Sequence, residues 1–185
     1  LEEVQNAVNK SKLGKAFLLV PNEALKNPEA IRLLHKLFNV CFKSGLTPLD
    51  WSKSDIKPIP KPGKDQRVPL YNRPISIICC IAKVYSYVLD CRVKKHLTVN
   101  DLLCDTQNGF RAGRSCVDHI FSLITILRNF KSQNKQIFLC FVDFRRAFDS
   151  VNRPLLFYKI ASQFGIVGNM YSAFINIVQK SNIQV

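Results

Sequence analysis

A mixed α/β (α+β) fold is what this 185-residue chain predicts, and three stretches predict it. Apolar residues recur at helical spacing through Ile31, Leu34, Phe38 and Cys41. The stretch 51–78 is broken by Pro58, Pro60, Pro62, Pro69 and Pro74, which forbids a continuous helix and leaves paired strands as its reading. A short unbroken apolar run, Ile137-Phe-Leu-Cys-Phe-Val142, has the length and the β-branched and aromatic content of a buried strand.

Taken in chain order, residues 1–23 are ambiguous, although Leu1, Val4, Ala7 and Val8 fit a short helix. Asn27 is placed to cap a helix whose first turn takes Pro28 and Glu29, and Gly45 is placed to end it, so Pro28–Ser44 is expected to be helical. Pro62-Gly63-Lys64-Asp65 is a turn signal between β-capable segments at 55–60 and 74–78. The expected product is a β-hairpin or a related strand pair, with Lys53, Lys57, Lys61, Lys64, Arg67 and Arg73 spread along it. Cys80–Val99 reads as a helix with Ile81, Val84, Val88, Cys91 and Val93 on a broad apolar face. A Gly- and Arg-rich loop over 102–115 leads to a helix over 117–130 through Ile120, Leu123, Ile124 and Leu127. The strand at 137–142 ends at Asp143, Asn152 with Pro154 starts a helix closing near Gly165, and 169–180 supports a last one.

Composition narrows the function. Lys and Arg total 27 against 13 Asp and Glu, a net charge of +14 that favours a polyanionic partner through counterion release. A solvated basic surface would give the same count. A basic membrane-surface helix is disfavoured, because no one helix gathers Lys on a single face. No apolar run approaches the roughly 20 residues a membrane crossing needs. The 7 cysteines are odd in number and form no C-x-x-C pair, which argues against a zinc ribbon or a secreted disulfide framework. Most sit beside apolar residues, as buried reduced thiols do, so an intracellular compartment is expected. The chain begins at Leu1 and no signal-peptide pattern follows, which suggests a piece of something longer.

The chemistry concentrates in Phe141-Val-Asp-Phe-Arg-Arg-Ala-Phe-Asp-Ser-Val151. A carboxylate at the end of a buried strand needs compensation, and a divalent metal that binds carboxylate and phosphate oxygens would supply it. An Asp143 that pairs with a nearby Arg, or caps the next turn, explains the same residue equally well. His35, His96 and His119 are scattered without metal spacing and read as structural or surface residues.

Four blocks in order resolve that choice. They are Ile56-Lys-Pro-Ile-Pro-Lys-Pro-Gly-Lys-Asp65, Arg73-Pro-Ile-Ser76, Gln107-Asn-Gly-Phe-Arg-Ala-Gly-Arg-Ser115, and the stretch from Phe141 to Val151. Together they resemble the reverse transcriptase domain of a non-LTR (LINE-type) retrotransposon, with kinship to group II intron reverse transcriptases. The resemblance runs from about Pro21 to Val185. It implies a partial right-hand polymerase fold, with the fingers over 1–135 and the beginning of the palm over 136–185. It also implies nucleotidyl transfer from dNTP to a primer 3′-OH on an RNA template, with DNA primer, RNA template and dNTPs as partners and two Mg²⁺ ions as cofactors.

The site residues follow from the same resemblance. Asp143 matches the first metal-binding aspartate, and the backbone carbonyl of Phe144 would serve the second metal. Phe148 matches the aromatic gate against a ribose 2′-OH, and Ala147 the small residue beside the incoming sugar; without the family, Phe148 reads as a core phenylalanine. Asp149 is given a supporting role and Ser150 a turn role. Lys61 and Arg73 match residues that grip the triphosphate, a compact charge and a planar fork. Lys64 is a candidate nucleic-acid contact, although a charged hairpin edge accounts equally for Lys57, Lys64 and Arg67. Arg111 and Arg114 would hold template or primer phosphates, with a well-capped loop as the competing reading; Gln107 and Asn108 fit either.

This sequence departs from the family in two places. Gly14-Lys-Ala16 runs through Phe17-Leu-Leu-Val20 into Pro21-Asn-Glu23, so a Gly- and Pro-rich template loop is shortened. The later Gln-Gly and aromatic-Ala-Asp-Asp blocks are not in these residues. The chain is therefore expected to be an N-terminal part that is inactive alone. The alternative is a non-catalytic nucleic-acid-binding remnant of a decayed element.

Overall fold

The computed structural model describes residues 1–12, 14, 16–17, 20–145, 147–179 and 182–184, with 16–17 and 182–184 as backbone. The shortened template loop falls partly outside these residues, at Leu13, Lys15, Leu18 and Leu19. Contacts divide the chain into two compact units, Leu1–Lys95 with Phe157–Val185, and His96–Leu156.

In the first unit, helix α1 (Glu2–Asn9) turns Val4, Ala7 and Val8 inward, so the ambiguous N-terminal stretch is helical at its start. A two-residue pair follows, β1 (Ala16–Phe17) antiparallel to β2 (Val20–Pro21). Helix α2 (Pro28–Ser44) has the expected bounds and termini. The Asn27 side chain accepts from the Glu29 amide at 2.8 Å, Pro28 opens the first turn, and Gly45 closes the helix at φ 69°. Its buried stripe is Ile31, Leu34, Phe38 and Cys41.

Strand β3 (Lys53–Pro60) pairs antiparallel with β4 (Asn72–Ile78), from Ser54 opposite Ile78 to Pro60 opposite Asn72. The turn between them follows its residues: the Lys64 amide donates to the Lys61 carbonyl at 3.2 Å across Pro62 and Gly63, and Gly63 takes φ 70°. Helix α3 (Cys80–Val99) then buries Ala82, Val84, Tyr85, Val88 and Leu89. Its inner face is turned from the expected one, because Cys91 is exposed while Tyr85 and Leu89 are inside.

Helix α4 (Cys116–Ser132) belongs to the second unit and has the expected span, yet none of its residues is buried. Helix α5 (Arg153–Ser162) starts where Asn152 Oδ1 accepts from the Leu155 amide at 3.0 Å. Helix α6 (Gly168–Gln179) follows, and Phe157 meets Phe174 edge to face across α5 and α6. Strand β5 (Asn182–Gln184) joins β3 in parallel, giving a three-stranded sheet in the order β4-β3-β5.

The core of the first unit is built from α1, α2, α3 and α6. Phe38, Trp51 and Tyr85 form its aromatic centre, with ring centroids 5.0 to 6.0 Å apart. Aromatic pairs at such spacing add about 1 kcal/mol beyond their burial. Arg92 donates to both carboxylate oxygens of Glu3, at 3.0 and 2.6 Å, tying α1 to α3 and holding the Glu3 carboxyl below its usual range. The guanidinium lies 4.8 Å from the centre of the Phe42 ring, so all three helices meet there. Thr47 donates to Asn176 at 2.6 Å, fixing the chain beyond α2 against α6.

Two sequence expectations are corrected. The run at 137–142 forms no strand and is not buried: Phe138 is 90% exposed and Phe141 81%. A strand needs a ladder partner and an apolar cover, and among the described residues nothing pairs with this run. Most cysteines are not buried either; Cys41, Cys79 and Cys80 are, whereas Cys91, Cys104, Cys116 and Cys140 are exposed thiols. Among the described residues no helix is long and apolar enough to cross a membrane.

Two stability measurements check this core. Gly45 holds a left-handed φ of 69°, and an added Cβ would come within 2.9 Å of Ser172 Cβ. Gly45→Ala should therefore destabilise the chain by roughly 1–3 kcal/mol in urea unfolding. Burial pushes the Tyr85 phenol from its ordinary 10.0 to about 12. The folded state then holds that proton longer than the unfolded one, so the contribution is complete below pH 10 and is lost as pH rises towards 12. Tyr85→Phe should flatten this alkaline limb in a pH series of unfolding midpoints.

Candidate functional site

Strand alternation sorts the basic hairpin into two faces. Ser54, Ile56, Asn72 and Ile78 lie on the more covered face, with Ser54 buried. The other face carries Lys57, Ile59, Arg73, Ile75 and Ile77, all exposed. Lys61 continues this face one step beyond β3, where its amide donates to the Tyr71 carbonyl at 2.9 Å. Arg73 stands opposite Ile59, so Lys61 and Arg73 are brought to the same open end of the strand pair. The Lys61 ammonium donates to the Leu70 carbonyl at 3.3 Å, and the Lys64 ammonium lies 5.6 Å from the centre of the Tyr71 ring. Arg67 and Asp65 make a turn contact, the Arg67 amide donating to the Asp65 carboxylate at 3.0 Å.

In the second unit, the 102–115 loop is internally bonded. Arg111 donates to the Cys104 carbonyl at 2.9 Å and lies 3.7 Å from the Asp105 carboxylate. Arg114 donates to the same carboxylate oxygen at 3.3 Å. Gln107 donates to the Gly109 carbonyl at 3.2 Å, so its side chain works inside the loop. Phe110 adopts φ 61° and is 86% exposed, an unusual backbone for a bulky residue. The loop closes on α4, where Asp118 accepts from the Ser115 hydroxyl at 2.9 Å and the Ser115 amide at 2.6 Å. These bonds hold the Asp118 carboxyl below the usual range.

Asp143 lies on the exposed, irregular stretch that replaces the expected strand, so burial does not force a partner on it. Phe144 is 75% exposed and Phe148 81%, which removes the core-phenylalanine reading of Phe148. Ala147 and Asp149 are exposed in the turn at 147–150, and the Ser150 hydroxyl donates to the Ala147 carbonyl at 3.3 Å, the turn role expected of it. Among the described residues no group of three or more His, Cys, Asp or Glu is placed to hold a metal ion. Asp143 therefore offers one carboxylate, and these residues by themselves do not build a two-ion centre. The role of Asp105 in joining Arg111 to Arg114 had no sequence signal, since the loop path alone brings them together.

Comparison with known proteins identifies the family. The family described as "Reverse transcriptase (RNA-dependent DNA polymerase)" matches residues 59–184, more than half of the chain. The probable RNA-directed DNA polymerase from transposon BS of Drosophila melanogaster is 29% identical over 89% of this chain and 18% of its own length. That from transposon X-element of the same species is 29% identical over 66% of this chain and 14% of its own. The RNA-directed DNA polymerase from mobile element jockey of Drosophila funebris is 28% identical over 88% and 18%. The chain thus spans less than a fifth of the length of these relatives. Reverse transcriptases in general use divalent metal ions and act on template, primer and nucleotide. The chain belongs to the reverse transcriptase family, and its relatives are the polymerases of non-LTR transposons.

Proposed function

We propose that this chain is the fingers (1–135) and the start of the palm (136–185) of a right-hand RNA-directed DNA polymerase. That polymerase would join a dNTP to a primer 3′-OH on an RNA template. The observation that carries the proposal is the open hairpin face, where Lys57, Lys61 and Arg73 share one side of β3–β4, with Lys61 and Arg73 inside the family-matched segment. A triphosphate needs such a surface: Arg supplies a planar fork and Lys a compact charge, both held by a rigid ladder. Lys64, Arg111 and Arg114 would take backbone phosphates of template or primer.

In the complete enzyme Asp143 would give one carboxylate, and the Phe144 carbonyl a further oxygen, to a pair of Mg²⁺ ions. These ions supply activation of the attacking hydroxyl and neutralise charge on the phosphates. Phe148 would stand against a ribose 2′-OH, Ala147 would leave room for the sugar, and Asp149 would support the turn. The primer hydroxyl is the nucleophile, so no Ser, Cys or His of this chain is needed for that step. Action on RNA and on chromosomal DNA places such an enzyme inside the cell, in the cytoplasm, the nucleus or both.

A second reading, a non-catalytic nucleic-acid binder, rests on the net charge of +14 and on the paired Arg111 and Arg114 of the 102–115 loop. Primer extension separates the two. In a parent polymerase carrying these residues, Arg73→Ala or Lys61→Ala should raise the KM for dNTP about 10-fold or more. Asp143→Ala should abolish extension while RNA binding persists, and Phe148→Ala should admit ribonucleotides. Extension indifferent to Asp143→Ala would sink the catalytic reading. Salt-sensitive RNA binding without Mg²⁺-dependent incorporation would establish the second one. The 185 residues alone are expected to give no extension above their own Asp143→Ala control.

A further inference from the structure

The 102–115 loop carries a carboxylate that the proposed function leaves unused. One oxygen of Asp105 lies 3.3 Å from Arg114 Nη2 and 3.7 Å from Arg111 Nη1, so a single acid faces two guanidiniums. Charge-assisted contacts of this kind are tight at about 2.7–2.9 Å, and both of these are longer. The Asp105 side chain is 89% exposed, against 20% for Arg111 and 39% for Arg114. The acid is therefore a loosely held, well-solvated counterion. Arg111 is anchored without it, through its 2.9 Å bond to the Cys104 carbonyl. The guanidinium pair would keep one fixed member if the carboxylate left.

Carboxylate and phosphate oxygens compete for the same guanidinium fork. We propose that Asp105 is a built-in stand-in for a phosphodiester: it occupies the Arg111–Arg114 pair in the free chain and is displaced when single-stranded RNA binds. The inference rests on the proposed nucleic-acid role of this loop. It makes Asp105 a positioning residue that lowers affinity, leaving the pair weakly neutralised until a phosphate arrives.

The test is binding of a short mixed-sequence single-stranded RNA to the full chain, followed by fluorescence anisotropy across a salt series. Asp105→Asn removes the charge and should tighten binding by roughly 3–10-fold, the scale of one charge at a few ångströms in water. The slope of log affinity against log salt should stay near that of the parent, because the same phosphates are neutralised once Asp105 has been displaced. Asp105→Ser should act in the same direction and Asp105→Glu should stay near the parent. Arg114→Gln should weaken binding, and in that background Asp105→Asn should lose most of its gain.

Two outcomes overturn the proposal, and they are distinguishable. If Asp105→Asn and Asp105→Ser bind RNA no better than the parent while Arg114→Gln still weakens it, displacement is wrong and the RNA role of the loop stands. If Arg114→Gln changes neither affinity nor salt slope, the RNA role of the loop fails and the inference falls with it.

Discussion

The packing of Trp51 edge to face on Phe38 and at a tilt on Tyr85 is the contact on which the first unit depends. Phe38 and Tyr85 come from α2 and α3 and are almost fully buried, whereas Trp51 stands two residues before β3. Helices that share an apolar core are thereby joined to a strand pair most of whose residues are exposed. Without that tie, a basic β3–β4 pair extended only by the three-residue β5 would be marginal in water. With it, Lys57, Lys61 and Arg73 are displayed on a surface that the helices hold in register. The ion pair of Glu3 with Arg92 adds little by comparison, since both side chains are substantially exposed.

The two charged regions are organised by different physics. On the hairpin, regular backbone pairing and a period of two decide which cations share a face, and their side chains are left mostly to solvent. In the 102–115 loop no ladder exists, so the cations are positioned by bonds to the loop itself, to the Cys104 carbonyl and the Asp105 carboxylate. Under the proposed function a triphosphate would use the first arrangement, where charges repeat along a rigid edge, and a flexible single strand the second, where a phosphate would replace an internal partner.

What was legible in the sequence was local. Helix α2 could be read almost whole, because Asn27, Pro28 and Gly45 act within a turn of their own position and the apolar stripe repeats every turn. The hairpin was legible for the same reason: proline excludes the helix, and Lys61 to Lys64 closes a turn that needs Gly63 at positive φ. The run at 137–142 misled, because strand content shows in composition while strand formation depends on a distant partner. Cysteine burial misled similarly, since apolar neighbours along the chain do not decide which side of a helix Cys91 takes. At the site, the four blocks revealed the family and the residue types, but not the exposed setting of Asp143 or the sharing of Asp105 by Arg111 and Arg114. Those depend on what the chain folds against and on how a loop returns on itself.

The aromatic contact couples the helical core to the basic hairpin. Amide hydrogen exchange on the full chain, compared with Trp51→Ala, tests it most directly. The variant should lose protection in the β3–β4 ladder well before α2 and α3 lose theirs, because the strand pair is released from an otherwise intact core. Unchanged protection of β3–β4 in the variant would show that the hairpin is held by something else and would contradict the claim.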